Sequence, residues 1–203
     1  MSKINKITPL THVKYLNLYE LEAENKFGDT HPYYVASRKD EHTMMAATKK
    51  PIPDGVIIYS LFGENNDKVI MIRQFRYPLN DYIYEFPAGL IDPGESVKET
   101  AVREMMEETG LNFTPADCEE FLHRPHFSSA GMTDETNCTV YGYASGKPNL
   151  DHLEPNEDLS VQLVDREEAK RILKEENLSV KAYYVLLHFL QSDPKDPFAF
   201  LHI

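Results

Sequence analysis

One stretch, Gly89 to Leu111, constrains this chain more than any other; it reads GLIDPGESVKETAVREMMEETGL. Its second half predicts a helix. Ser96 stands where an N-cap belongs, with Glu99 three residues on to close a capping box, and Gly110 stands where helices commonly stop. Within that helix Glu104, Glu107 and Glu108 fall at i, i+3 and i+4, so all three project from one face. The apolar face is read as Val97, Ala101, Val102 and Met105, which places the carboxylates at its edge, where water is scarce and charge is costly. Arg103 can offset one of the three charges. Hard divalent cations would offset the rest, and an all-oxygen donor set suits magnesium or manganese. The plain alternative is a solvated acidic helix face.

Composition limits the partners. The chain has 203 residues, enough for one domain with a small additional element, and a formal net charge of −12. A chain this acidic repels a nucleic-acid backbone, so no nucleic-acid partner is expected. Any phosphate-bearing small molecule would need cations to bridge it to the protein. The two cysteines, Cys118 and Cys138, form neither a C-x-x-C pair nor a zinc spacing, and read as thiols kept in a reducing compartment. No apolar run resembles a signal peptide or a membrane span, and the expectation is a cytoplasmic protein that does not meet membranes.

Along the chain, Val13 to Leu21 and Tyr33 to Ser37 read as strands. A turn-rich boundary follows at Lys49 to Gly55. Val56 to Phe62 and Val69 to Phe75 are strands joined by a hairpin-like loop, and Tyr82 to Phe86 is another. Beyond the central helix come strands at Thr139 to Ala144 and Leu159 to Val164. Two more helices follow, capped by Asp165 and Ser179, the last with a core face of Ala182, Leu186, Leu187 and Leu190. His123 and His126 form an H-x-x-H without a third ligand and read as structural or exposed.

The spacing around the glutamates narrows the possibilities. Gly89, Glu95, Arg103, Glu104, Glu107, Glu108 and Gly110 match the Nudix box, G-x5-E-x7-R-E-U-x-E-E-x-G-U with U apolar, at every position. Seven fixed positions at typical residue frequencies coincide by chance on the order of once in 10^8 placements. The chain thus resembles the Nudix hydrolases. That resemblance implies an α/β fold, the α/β/α sandwich with a mixed sheet, whose loop–helix–loop binds metal ions. It makes Glu104, Glu107 and Glu108 the metal ligands, with Arg103 and Glu95 orienting the helix and its loop.

The flanks resemble the ADP-ribose pyrophosphatase group. Arg73-Gln74-Phe75-Arg76-Tyr77-Pro78 and Tyr84-Glu85-Phe86-Pro87-Ala88-Gly89 are similar to its R-Q-F-R-x-P and E-x-P-A-G segments. By that likeness Ala88 offers a backbone carbonyl to a metal, Arg76 contacts the diphosphate and Glu85 lies by the substrate. The loop before Leu159 is similar to one that carries a general base, which maps to Glu157, with Glu154 in reserve and Glu107 and Glu108 as further catalytic candidates. Pro125 also fits the pattern. Ser129-Ala130-Gly131 departs from the usual S-P-G, which leaves the terminal-ribose end of the specificity open.

The N-terminal part, residues 1–50, is similar to a β extension that serves dimerisation and substrate stacking. Residues 51–203 would be the Nudix domain. Tyr33 or Tyr34, with Phe27 as a further candidate, would stack on the base, and Arg38 would approach the phosphates. The resemblance implies a homodimer, and a nucleotide sugar as the small-molecule partner, ADP-ribose first. GDP-mannose- or UDP-sugar-type substrates, a non-catalytic ADP-ribose-binding module and RNA decapping are the competing readings; the acidic charge argues against the last.

Overall fold

The computed structural model describes residues 1–202. Its elements run β1 (Lys3–Pro9), β2 (Asn17–Glu24), β3 (Thr30–Ser37), α1 (Met45–Thr48), β4 (Gly55–Phe62), β5 (Lys68–Arg76), β6 (Asp81–Glu85) and β7 (Ala88–Leu90). Then come α2 (Val97–Thr109), β8 (Asn112–Pro115), β9 (His126–Phe127), β10 (Thr136–Ser145), β11 (Leu159–Val164), α3 (Arg166–Glu175) and α4 (Val180–Gln191). The chain divides into two compact units, Met1–Asp54 with Pro125–Asn137, and Gly55–Arg124 with residues 138–202.

The first unit is built on an antiparallel three-stranded sheet in the order β1-β2-β3. This is the expected N-terminal β extension. β1 itself falls in a segment where the sequence carries no strand signal, because most of its residues are exposed and polar. Tyr19, Leu21, Val35 and Met44 form the unit's core. Asp54 draws the later segment in: it accepts from Lys39 Nζ at 2.5 Å and from the Thr136 backbone N–H at 2.9 Å. Asp134 accepts from the Met45 N–H at 2.8 Å, at the start of α1.

The second unit is a mixed sheet between helices, the expected sandwich. Its strand order is β11-β5-β4-β10-β8, with β6 paired to β5 and β7 to β4. Alternation along β4 divides the core. Val56 and Ile58 pack with Ile70, Ala101, Met105, Leu111 and Val140 on the α2 side. Tyr59 and Leu61 pack with Met71, Tyr84, Ile172, Leu186 and Phe189 on the α3–α4 side. Each such large apolar side chain contributes about 1.5–3 kcal/mol on burial. Phe198, Phe200 and Leu201, near a C-terminus that reads as uninformative, join that second core.

The helix ends follow their sequences. Ser96 and Glu99 close both halves of the capping box on α2. Asp165 accepts from the Glu167 and Glu168 N–H groups, and Ser179 from that of Ala182. Gly110 ends α2 at φ 67°, in the left-handed region. A Cβ there would also come within 2.3 Å of the side chain of Asn149, a residue whose backbone N–H donates to Thr109 O.

Two helix faces differ from expectation. Val102 of α2 is 41% exposed, while Glu108 is only 2% exposed; the buried face turns through Thr100, Ala101, Met105, Glu108 and Thr109. On α4 Phe189 takes a core position and Leu187 faces outward. In both, the buried stripe keeps the centre of the most apolar one and differs at its edges.

Candidate active site

The box is a loop that closes on its own helix. β7 pairs with β4, Ile57 opposite Ala88 and Val56 opposite Gly89, and this brings the loop over α2. The Ala88 N–H then donates to Glu108 Oε2 at 3.0 Å. Gly89 is glycine for a steric reason: a Cβ would lie 1.8 Å from the Glu104 carboxyl carbon. The Glu104 carboxylate occupies the space where any other residue would carry its side chain.

Arg103 holds the arrangement together. Its Nε donates to Glu95 at 2.9 Å, Nη1 to Glu104 at 2.8 Å and to Glu107 at 2.9 Å, and Nη2 to the Leu90 carbonyl at 3.0 Å. The bond to Arg103 is the main reason the Glu95 carboxyl falls to about 2, helped by Thr100. The same contacts raise the Arg103 guanidinium above its ordinary value.

Burial grades the three box glutamates. Glu107 is the most open, and Glu104 is largely covered. Burial pushes Glu104 upward; Arg103 opposes this, while Glu107 and Glu157 add to it. Glu108 is buried outright and lies well above the usual carboxylate range, chiefly through desolvation, with the Ala88 N–H pulling the other way. Its charge is further opposed by Glu104 and Glu157.

Glu157 is part of the same electrostatic group. Burial raises its carboxyl, Glu154 and Glu107 add to the rise, and Arg76 lowers it. Its loop is fixed at both ends. The Glu157 N–H donates to Glu154 O at 3.0 Å, the Phe75 N–H to Asp158 O at 2.8 Å, and the Tyr82 hydroxyl to Asp158 Oδ2 at 2.6 Å. Tyr82 and Asp158 were not legible as supports in the sequence, since they meet only through the packing of β5 between β6 and β11. Arg76 Nε donates to Glu85 at 2.5 Å, and among the described residues its two Nη groups make no hydrogen bond.

Four carboxylates, Glu104, Glu107, Glu108 and Glu157, thus face two arginines, each already committed to another glutamate. This excess of oxygen donors, one of them buried, fits a hard divalent cation. Among the described residues no three acidic, histidine or cysteine side chains form a ready-made ligand group. Glu104 and Glu107 lean on Arg103, and ligating a metal would take rotation away from it.

Arg38, Tyr33 and Tyr34 belong to the first unit. Arg38 pairs with Glu135 at 3.5 Å. The Tyr33 hydroxyl donates to Gly131 O at 2.8 Å, within the Ser129-Ala130-Gly131 loop. Tyr33 lines a cavity of about 210 Å³ with Leu21, Val35, Met44 and Phe127. Tyr34 points from the opposite face of β3 and is 53% exposed. His123 is structural: one ring nitrogen meets Thr139 O at 2.9 Å and the other Cys118 Sγ at 3.2 Å.

The helix α2 thus gathers its carboxylates under the sheet, with Arg103 bonded to Glu95, Glu104 and Glu107 and Arg76 bonded to Glu85. Residues 51–187 match the NUDIX domain, and the chain belongs to this family. It is similar to the methanol dehydrogenase activator of Bacillus methanolicus, 31% identical over 68% of this chain and 72% of that one. It is also similar to the ADP-ribose pyrophosphatase of Escherichia coli (strain K12), 33% identical over 64% of each chain. A putative nudix hydrolase 2 of Caenorhabditis elegans is 32% identical over 64% of this chain, which spans only 55% of that relative's length. A crystal structure of an ADP compounds hydrolase shares the fold, with a TM-score of 0.66 at 18% identity over 94% of each chain. Among the described residues no helix is long and apolar enough to cross a membrane.

Proposed function

We propose that this protein hydrolyses the pyrophosphate bond of a nucleoside diphosphate derivative with the help of bound magnesium or manganese, and that ADP-ribose, cleaved to AMP and ribose 5-phosphate, is its leading substrate. The observation that carries this reading is the Glu108 carboxylate, 2% exposed and grouped with three other glutamates. A solvated acidic face would have left it in water. The likeness to an ADP-ribose pyrophosphatase and to the mouse ADP-sugar pyrophosphatase, 46% identical over 40% of this chain, supports the substrate.

When bound, the divalent ion neutralises the diphosphate and lowers the pKa of the attacking water. Glu104, Glu107 and Glu108 hold it, with the Ala88 carbonyl as a further oxygen donor. Gly89 makes room for Glu104, and Glu95 with Arg103 keeps the helix and loop in register. Arg76, held at Nε by Glu85, offers its Nη groups to the diphosphate oxygens. Glu157 accepts the proton of the attacking water, for which a carboxyl raised by burial is suited; Glu154 is the nearest substitute. Attack at one phosphorus breaks its bond to the bridging oxygen, and two monophosphates leave.

Arg38 and an aromatic ring, Tyr33 or Tyr34, recognise the nucleotide in this reading, and the protein is a cytoplasmic homodimer. A purely ligand-binding module is disfavoured because every box glutamate is present. The test is product release from ADP-ribose, GDP-mannose, UDP-glucose and diadenosine polyphosphates in magnesium. ADP-ribose should give the highest kcat/KM, and Tyr33→Ala or Tyr34→Ala should raise KM for it. A higher kcat/KM for another nucleotide sugar would keep the chemistry and overturn the substrate.

A further inference from the structure

Gln74 is out of place among its neighbours. Register sets Ile70, Ile72, Gln74 and Arg76 in a row on the α2-facing side of β5. Beside them on the same face stand Ile83 and Glu85 of β6, and Leu159 and Val161 of β11. Ile72, Ile83 and Leu159 are buried, and so is Gln74, at 6% exposure. Its Oε1 is enclosed and has no hydrogen-bond partner. A buried acceptor left unpaired costs stability that an apolar side chain of the same volume would not. Nothing in the packing of this face calls for an amide.

The Arg76–Glu85 pair spans the rung on which Gln74 stands. Arg76 stands opposite Asp81, and Glu85 opposite Ile72. The two residues are therefore four positions apart along the ladder, about 13 Å at the usual rise. Their side chains nonetheless meet at 2.5 Å. To do so they lean toward each other along the strands, across the rung formed by Gln74 and Ile83. Gln74, with its buried and unpaired oxygen, stands on the rung between them and two residues before Arg76 on the same face, and Arg76 is bonded to Glu85 through its Nε.

We propose that Gln74 is a positioning residue for Arg76: its Oε1 accepts an Nη–H of Arg76 when the diphosphate binds, so that Glu85 and Gln74 fix the guanidinium from two sides and its remaining N–H groups face the phosphate oxygens. This rests on the reading of Arg76 as the diphosphate contact. A guanidinium held at one nitrogen can still pivot; held at two, its plane is set. The preorganisation lowers the cost of binding the diphosphate.

The test is a double-mutant cycle of Gln74→Met and Arg76→Ala, read as the calorimetric affinity for the α,β-methylene analogue of ADP-ribose in magnesium. The bridging carbon blocks cleavage, so affinity is read apart from turnover. Gln74→Met should weaken binding about tenfold or more, as loss of a supporting partner commonly does, while its urea midpoint stays equal to wild type or rises. In the Arg76→Ala background it should have no further effect. Wild-type affinity in Gln74→Met, or an undiminished loss when Arg76 is absent, would overturn the proposal. A wild-type protein that binds the analogue but cleaves no ADP-ribose would overturn the hydrolase reading and leave the cycle to decide Gln74. One that neither binds nor cleaves would overturn both.

Discussion

Glu95 and Glu108 are both box glutamates, and their environments drive them in opposite directions. Glu95 faces Arg103 and is held down to about 2, whereas Glu108 is buried against backbone and rises. The Glu95 shift has a consequence for stability. A carboxyl depressed in the folded state stabilises it at pH values above its unfolded pKa, and that contribution is lost as pH falls through the folded one. The stability gap between wild type and Glu95→Gln should therefore be full above about pH 5 and close as pH falls toward about 2. Urea unfolding across that range reads it; a gap that stays constant would show that the Arg103–Glu95 bond is not its source. At this scale the sequence was informative about identity more than environment. The spacing from Gly89 to Leu111 named the box residues. It did not reveal that Glu108 turns inward and Val102 outward, because the sheet selects which stripe of α2 it covers. The unpaired burial of Gln74 was invisible for the same kind of reason: it depends on how β5 packs between β6 and β11.

Elements were legible where a local rule fixes them. The caps at Ser96, Asp165 and Ser179, the stop at Gly110 and the apolar runs of β4 and β5 all follow from neighbours within a few residues. β1, β7, β8 and β9 gave no usable signal, being short or mostly exposed, and form because a partner strand supplies their hydrogen bonds. The C-terminal segment was the larger omission. Phe198 is 3% exposed and meets Tyr59 edge-on at 5.4 Å and Tyr141 at 6.2 Å, in an aromatic cluster that also holds Phe200 and His188. Phe198→Ala should destabilise the protein by about 3–5 kcal/mol, measured by chemical denaturation, with the box geometry retained because α2 packs on the opposite face of the sheet. A loss below about 1 kcal/mol would mean that the cluster collapses to fill the space.

For the whole molecule, a net charge of −12 and a group of mutually close carboxylates fit the proposed dependence on a divalent cation. Glu104, Glu107, Glu108 and Glu157 repel one another, and two arginines, Arg103 shared with Glu95 and Arg76 bonded to Glu85, do not balance four charges. A ligand present at a hundred times its dissociation constant stabilises the folded state by about 2.7 kcal/mol, so magnesium should raise the unfolding temperature and chelation should lower it. The measurement that bears most directly on the central claim pairs this with chemistry: AMP release from ADP-ribose by wild type and Glu108→Gln, alongside magnesium titrations of both. Wild type should turn over ADP-ribose until chelator is added, and Glu108→Gln should be at least about a hundredfold slower and bind magnesium more weakly. Undiminished turnover by Glu108→Gln, or turnover by wild type in excess chelator, would contradict that claim.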